Sequence, residues 1–323
     1  MRKTALIVPY DYKLLSVAAI LDVFETVNRL YAERGEEAPY QLHIYQQPEQ
    51  MRAGRSAFHG YDIFSAEDKQ QMDLVLIPAF STEDMRQTLE RNRVWIPWLQ
   101  RQFEGGAETG SFCTGAFLFA ASGLLNKRAA TTHVDASDAF GRLYPEVVLQ
   151  SEHTVTADGR AYTSGGSTST FHLLLLLVQK HCGADTAIRI AKIFAIDMDR
   201  YKQSYFSTFR PDYTHNDELV KDVQKKIENA YREAETIEEI IKDIPASRRN
   251  IVRRFTQATG IPPIEYLQHV RIESAKRLLE GTNQSITEVI DNTGYSDPKS
   301  FRKTFRRIVG MAPQEYKEKF RVK

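Results

Sequence analysis

Two groups of residues in this 323-residue chain have types and spacings suited to chemistry. The first is Gly110-Ser111-Phe112-Cys113-Thr114-Gly115-Ala116, which sets a cysteine between a strand-like run and a helical one, with glycines on both sides. That is the layout of a nucleophile elbow, a sharp turn that exposes the thiol. The helix N-terminus beyond it favours a thiolate and offers backbone N–H groups to an anion. His133, further along the chain, is the candidate base partner. A low-pKa thiol at such a turn is also open to reversible oxidation. The same residues equally suit a small buried side chain at a tight turn and a structural histidine. The second group is cationic. Arg249, Val252 and Arg253 lie in one helical stretch, and Lys299, Arg302, Lys303 and Arg306 in another, at spacings of three and four that put each set on one helix face, with Arg248 a further DNA-binding candidate beside Arg249. Arginine reads guanine edges bidentately, and lysine and further arginines hold phosphates, so these faces suit double-stranded DNA.

The cysteine needs a strand-to-helix framework, and the N-terminal half has one. Short β-like runs alternate with helical stretches: Thr4–Val8 and Ser16–Arg34, then Tyr40–Tyr45, then Asp73–Ile77 and Glu83–Phe103. Glu108–Phe112 leads into a helix over Thr114–Leu125. His153–Thr156 and Arg160–Thr163 read as strands, and Thr168–His181 as an apolar helix. The alternation predicts an α/β domain with a parallel sheet and helices on both faces. From Ala184 onward the pattern is helical, with breaks near Arg210-Pro211-Asp212 and Thr214-His215-Asn216. The expected organisation is a first domain over 1–200, a linker over 201–216 and an all-α domain over 217–323.

The basic half repeats itself at an offset of 50 residues: Phe255 with Phe305, Gly260 with Gly310, Pro263 with Pro313, Glu265 with Glu315, Tyr266 with Tyr316 and Arg271 with Arg321. Each copy follows a short helix, Ile237–Asp243 or Ile286–Asn292, and a tight turn. Ser247 is the expected N-cap of a helix to Ala258. Asp297, with Pro298 at the first helical position, should cap one to Val309. This is helix-turn-helix twice over, joined by a helix at Ile264–Leu279 that Gly281 should terminate.

Residues from about Asp217 to Lys323 resemble the AraC/XylS family of transcription regulators. The resemblance rests on Arg253-Arg254-Phe255, Thr259-Gly260-Ile261-Pro262-Pro263, Tyr266-Leu267, and Arg271 with Ala275 and Arg277-Leu278-Leu279. Gly294-Tyr295-Ser296-Asp297, Phe301, Phe305, Gly310 and Pro313 carry it through the second unit. Ile241 and Ile290 depart from it, standing where that family usually has alanine. Residues from about Lys3 to Ala195 resemble the class I glutamine amidotransferase-like superfamily in its PfpI-type branch. The Gly105–His133 segment, Tyr162-Thr163-Ser164-Gly165-Gly166 and Leu173–Val178 carry this likeness, and the combination is similar to regulators described as GlxA-like. The resemblance implies a flavodoxin-like sheet with Cys113 at the elbow. Three departures bear on catalysis. Ser16 stands where catalytic members place an acid, with Asp22 almost two turns further on. Pro78-Ala79-Phe80 replaces a glycine pair at the oxyanion site, and Thr114 stands where peptidase-like members tend to have histidine.

These departures imply a non-catalytic domain in which Ser16, Ala79, Cys113, Thr114 and His133 line a small-molecule pocket, with Cys113 and His133 as vestigial catalytic residues. The competing expectation is an amidase, hydrolase or hydratase with an attached DNA-binding domain. Net charge supports the DNA reading: residues 244–323 hold 16 Lys/Arg against 8 Asp/Glu, within a chain of net charge +1. Two widely spaced cysteines form neither a disulfide framework nor a zinc pattern, and no metal or cofactor is expected. The longest apolar stretch, Phe171–Val178, is too short to span a membrane. With no signal-like N-terminal segment, the expected setting is a reducing bacterial cytoplasm. Expected partners are operator DNA, a small-molecule effector, a second copy of the chain and the transcription machinery.

Overall fold

The computed structural model of the chain describes every residue except 53–57, 59, 200, 234–235 and 322–323. The backbone divides into two units, Met1–Gln203 and Ser204–Lys323. The division falls within the expected 201–216 linker, near its start. The Gln203 amide is buried among the carbonyls of Thr132 and Ser151 at 2.9 Å, and Tyr205 packs into the second unit's core.

In the first unit the strands are β1 (Arg2–Val8), β2 (Tyr40–Gln46), β3 (Asp62–Ser65), β4 (Leu74–Ile77), β5 (Glu108–Phe112), the two-residue pair β6 (Ala129–Ala130) and β7 (Val148–Leu149), then β8 (Val155–Asp158) and β9 (Ala161–Ser164). Seven of them form one sheet in the order β3-β2-β1-β4-β5-β9-β8. Neighbours run parallel except β8, which pairs with β9 as an antiparallel edge. Alternate residues of β1 enter different cores: Leu6 and Val8 on one face, Ala5 and Ile7 on the other. That is the signature of a strand covered on both sides.

The helices are α1 (Leu14–Ala32), α2 (Pro48–Arg52), α3 (Met85–Arg91), α4 (Trp95–Glu104), α5 (Ala116–Ala121), α6 (Ser137–Leu143), α7 (Ser169–Cys182) and α8 (Ala184–Ile193). Helices α1, α7 and α8 cover the first face, and the tryptophans of α4 pack with the phenylalanines of α5 on the second. The single helix expected over Glu83–Phe103 is broken at Asn92. This fully buried amide bonds the carbonyls of Tyr10 and Thr88 and accepts from Tyr10 N–H and the Gln47 amide, competing with continued helix. The expected Thr114–Leu125 helix begins instead with a 3₁₀ turn, Cys113–Gly115, before α5.

The second unit is helical: α9 (Glu218–Ala230), α10 (Ile237–Ile241), α11 (Arg248–Thr259), α12 (Pro263–Gly281), α13 (Ile286–Asp291), α14 (Pro298–Val309) and α15 (Pro313–Phe320). Two small cores share α12. Its Tyr266, Leu267 and Val270 belong with α9–α11, and its Ile272, Ala275 and Leu279 with α13–α15. The 50-residue repeat maps onto equivalent structural jobs. Phe255 and Phe305 are fully buried. Tyr266 and Tyr316 stand edge-on to them at 5.3 and 5.6 Å between ring centroids. Gly260 and Gly310 close α11 and α14 at φ of 83° and 85°, a conformation that is strained for any side chain. Pro263 and Pro313 occupy the first positions of α12 and α15. Ile241 and Ile290 are both buried. Gly281 is not the stop expected for α12. Thr282 is, its N–H and hydroxyl both bonding the Leu278 carbonyl.

Candidate functional site

In the first unit the elbow is built where β5 ends. Cys113 has φ of 53°, the left-handed conformation that an L-residue adopts at a cost of order 1–3 kcal/mol. Gly115 makes the turn possible, because a Cβ there would sit 2.5 Å from the Pro78 carbonyl oxygen and 2.7 Å from that of Ile77. The helix can therefore approach the end of β4 only with glycine at this position.

The thiol differs from the expectation of an exposed, activated nucleophile. Cys113 is 2% exposed, and burial pushes its pKa up, with hydrogen bonding from Thr114 and the charge of Lys13 offsetting this only in part. A thiolate is disfavoured in such surroundings, which removes the basis for a low-pKa redox cysteine.

The three departures from the catalytic pattern act together. Ser16 Oγ accepts the backbone N–H of Ala79 at 3.1 Å. Thr114 Oγ1 accepts the N–H of Phe80 at 2.8 Å and donates to the Phe80 carbonyl at 3.0 Å. The backbone donors after β4, where an oxyanion would be received, are thus already bonded, and by the two residues that replace an acid and a histidine. Asp22 is exposed on α1 and takes no part.

His133 lies near the elbow without serving it. The preceding residue, Thr132, donates to the Cys113 carbonyl at 3.0 Å, and His133 Nδ1 accepts the N–H of Asp135 at 3.2 Å. Among the described residues no hydrogen bond joins His133 to Cys113. Burial lowers the imidazole pKa, so the ring is neutral near pH 7 and carries its proton on Nε2. The residue that sequence reasoning missed is Lys13. Its ammonium donates to Ser167 Oγ at 2.8 Å, and its charge is felt by both Cys113 and His133. Its position between β1 and the helix that follows was the only sequence signal.

In the second unit the caps expected for α11 and α14 are present. Ser247 accepts from Asn250 N–H, and Asp297 accepts from the N–H groups of Lys299 and Ser300. Ile251 and Phe255, and Phe301 and Phe305, turn into the cores, leaving the opposite faces to solvent. The cations divide by partner. Arg254 holds Asp217, the N-cap of α9, through two bonds of 2.6 and 2.8 Å, and Arg307 pairs with Glu265 at 3.5 Å. Both are scaffold. Arg248, expected on the reading face, meets Glu238 at 2.6 Å, an exposed pair worth about 0–1 kcal/mol that a phosphate can displace. Arg253 bonds the Asn250 side chain at 3.2 Å. Among the described residues Arg249, Lys299, Arg302, Lys303 and Arg306 take part in no ion pair, and all five are exposed. Val252, exposed between Arg249 and Arg253, suits contact with a thymine methyl. Also among the described residues, no group of three or more His, Cys, Asp or Glu is arranged to hold a metal, and no helix is long and apolar enough to cross a membrane.

Comparison with known proteins follows the same division. The DJ-1/PfpI family matches residues 44–180, and a helix-turn-helix domain family matches residues 242–319. The chain is similar to the HTH-type transcriptional regulator CdhR of Pseudomonas aeruginosa, at 26% identity over 221 residues, 68% of this chain and 66% of that protein. It is also similar to the HTH-type transcriptional regulator GlxA of Rhizobium meliloti, at 26% over 219 residues, 67% of this chain and 66% of the relative. The matched stretches span just under two thirds of both relatives. A crystal structure from Vibrio parahaemolyticus, described as that of a transcriptional regulator protein, covers 59% of this chain and 98% of its own at TM-score 0.50 and 22% identity, a likeness of fold. The two matches lie in this order along the chain, the first within Met1–Gln203 and the second within Ser204–Lys323, so the chain carries a DJ-1/PfpI-type domain followed by a helix-turn-helix domain and is similar to HTH-type transcriptional regulators.

Proposed function

We propose that the chain is a sequence-specific DNA-binding transcription regulator whose first unit is a non-catalytic, effector-sensing and dimerising domain. The observation that carries the DNA half is the pair of capped helices, α11 and α14, which bury equivalent aromatic residues and turn cations outward. Helix α12 joins them across 19 residues, about 28 Å at the α-helical rise, so both can lie on one face of a duplex in successive major-groove segments.

For the first unit, the reading is supported by Ser16 and Thr114, which occupy the backbone donors an acyl-transfer site would use. A buried thiol with a raised pKa and, among the described residues, no acid bonded to it lacks the means to be activated. In this reading the pocket around Ser16, Ala79, Cys113, Thr114 and His133 receives a small effector at the carboxyl edge of the sheet, where open α/β sheets bind ligands. A second copy of the chain pairs through the same unit, and the bound complex acts on the transcription machinery in the cytoplasm.

The test is a gel shift on an operator selected from random DNA. Arg253→Ala and Lys303→Ala should each weaken specific binding by roughly 1–3 kcal/mol, and Cys113→Ser should leave it intact. Unchanged affinity in both cation variants would refute the assigned face, and thiol-dependent turnover of an amide or nitrile would refute the non-catalytic reading.

A further inference from the structure

We infer that Lys13, Ser167 and the Nε2 edge of His133 form an anion seat that takes the carboxylate of the effector. This inference deepens the sensing role proposed for the first unit and rests on it.

Lys13 is placed by the backbone on both sides. Its N–H donates to the Ala79 carbonyl at 2.7 Å, and its own carbonyl receives the N–H groups of Ser16 and Val17 at the start of α1. The side chain is half-buried, and among the described residues no carboxylate lies within ion-pair distance of it. Its recorded partner is the neutral Ser167 hydroxyl at 2.8 Å, so two of the three ammonium protons remain for another acceptor. A partly desolvated cation without a counter-charge is costly, and a bound anion would supply what the chain does not.

The rest of the seat faces the same place. Ser167 follows Gly165-Gly166, and that loop is anchored because Gly165 N–H bonds the Thr154 carbonyl and Gly166 N–H bonds Gln203 Oε1, both at 2.9 Å. His133 Cδ2 and Nε2 lie 3.9 Å from where a side chain on Gly166 would begin. Because Nδ1 of this ring is an acceptor already in use, Nε2 is the edge that donates. His133 feels the charge of the exposed Asp135 carboxylate and then that of Lys13, and Cys113 also feels Lys13, which places Lys13, His133 and Cys113 in one neighbourhood. Segments following β1, β5, β6 and β9 therefore meet there, at the carboxyl edge of the sheet.

One ammonium, one imidazole N–H and one hydroxyl make a single positive charge with a few donors. That set matches a monoanionic carboxylate better than a phosphate dianion, which calls for more charge or an array of backbone N–H groups.

Acetate serves as the probe, with inorganic phosphate as comparison and chloride holding ionic strength constant, on the full-length chain. Binding is followed by the thermal midpoint and by the His133 ring resonances, assigned with His133→Gln. Saturable acetate binding that moves these resonances is expected. Lys13→Met should weaken it at least tenfold, Ser167→Ala several-fold, and Lys13→Arg should restore most of it. Acetate binding unchanged in Lys13→Met, or phosphate outcompeting acetate at the same resonances, would overturn the seat. Operator affinity measured on the same samples separates the two readings. A wild-type chain that binds DNA but gives no acetate response removes the seat alone, whereas one that binds acetate through Lys13 but binds no DNA removes the regulator and keeps the seat.

Discussion

Replacing Lys299, Arg302, Lys303 and Arg306 together with alanine probes the reading surface where it is densest. All four are exposed on α14, while Phe301, Phe305 and Val309 hold its other side in the core. Alanine is the best helix former, so the helix persists while its charge is lost. Each side chain that neutralises a phosphate contributes about 0.9 to the slope of log K against log salt, so the quadruple variant should lose about 3–4 of slope. On α11 only Arg249 and Arg253 are comparably available, and their double alanine variant should lose about 2. Arg254 and Arg307 provide the control. Both lie on the same two helices, but they are spent on Asp217 and Glu265. Their replacement should lower stability and leave the slope nearly unchanged. Fluorescence anisotropy on a selected operator, across a series of potassium chloride concentrations, gives all three slopes. Equal losses for the three variants, or a larger loss in the control, would show that partnering within the protein does not sort scaffold from reading cations.

Two further predictions concern the first unit, which holds both tryptophans, Trp95 and Trp98, so their fluorescence reports its unfolding alone. Burial alone would raise the Glu108 carboxyl, but His181 at 3.2 Å and Lys180 at 3.1 Å outweigh it and hold the pKa down at about 2, below its ordinary 4.5. A depressed carboxylate stabilises the fold above its unfolded value, and the contribution is lost as pH falls from about 4.5 towards 2. Glu108→Gln should therefore cost about 2 kcal/mol at pH 7 in urea unfolding and flatten the acid branch, and an unaltered acid branch would contradict the assignment. Gly115→Ala should cost about 1–3 kcal/mol, because the new methyl group meets two backbone carbonyls, and an unchanged thermal midpoint would contradict the tight approach of the elbow to β4.

The repeat shows what was legible in the sequence and what it meant. Phe255 and Phe305, Gly260 and Gly310, Pro263 and Pro313, and Tyr266 and Tyr316 are core, cap and helix-start positions, so the 50-residue period encodes the scaffold twice. The outward cations differ between copies, as expected of surfaces that read different bases. Caps such as Ser247 and Asp297 were legible because their bonds close within three residues of chain. The alternation of β1 was legible because pleating is itself local.

Other features depended on groups far apart in sequence. The break at Asn92 comes from Tyr10, 82 residues away. Lys13 meets Ser167 across 154 residues, and Ser16 reaches Ala79 across 63. Read alone, Ser16 and Thr114 were only departures from an enzyme's pattern, and Arg248, Arg249 and Arg253 were equal DNA-binding candidates. The sequence by itself determined the α/β unit, the elbow at Cys113 and the doubled helix-turn-helix, since each is written in periodicity and caps that act within a turn or two. The tertiary structure alone decided that Ser16 and Thr114 bond the backbone, that the thiol is buried, and which cations pair with carboxylates within the protein. Burial and partnership are set by what a side chain meets after folding, and no local pattern carries that.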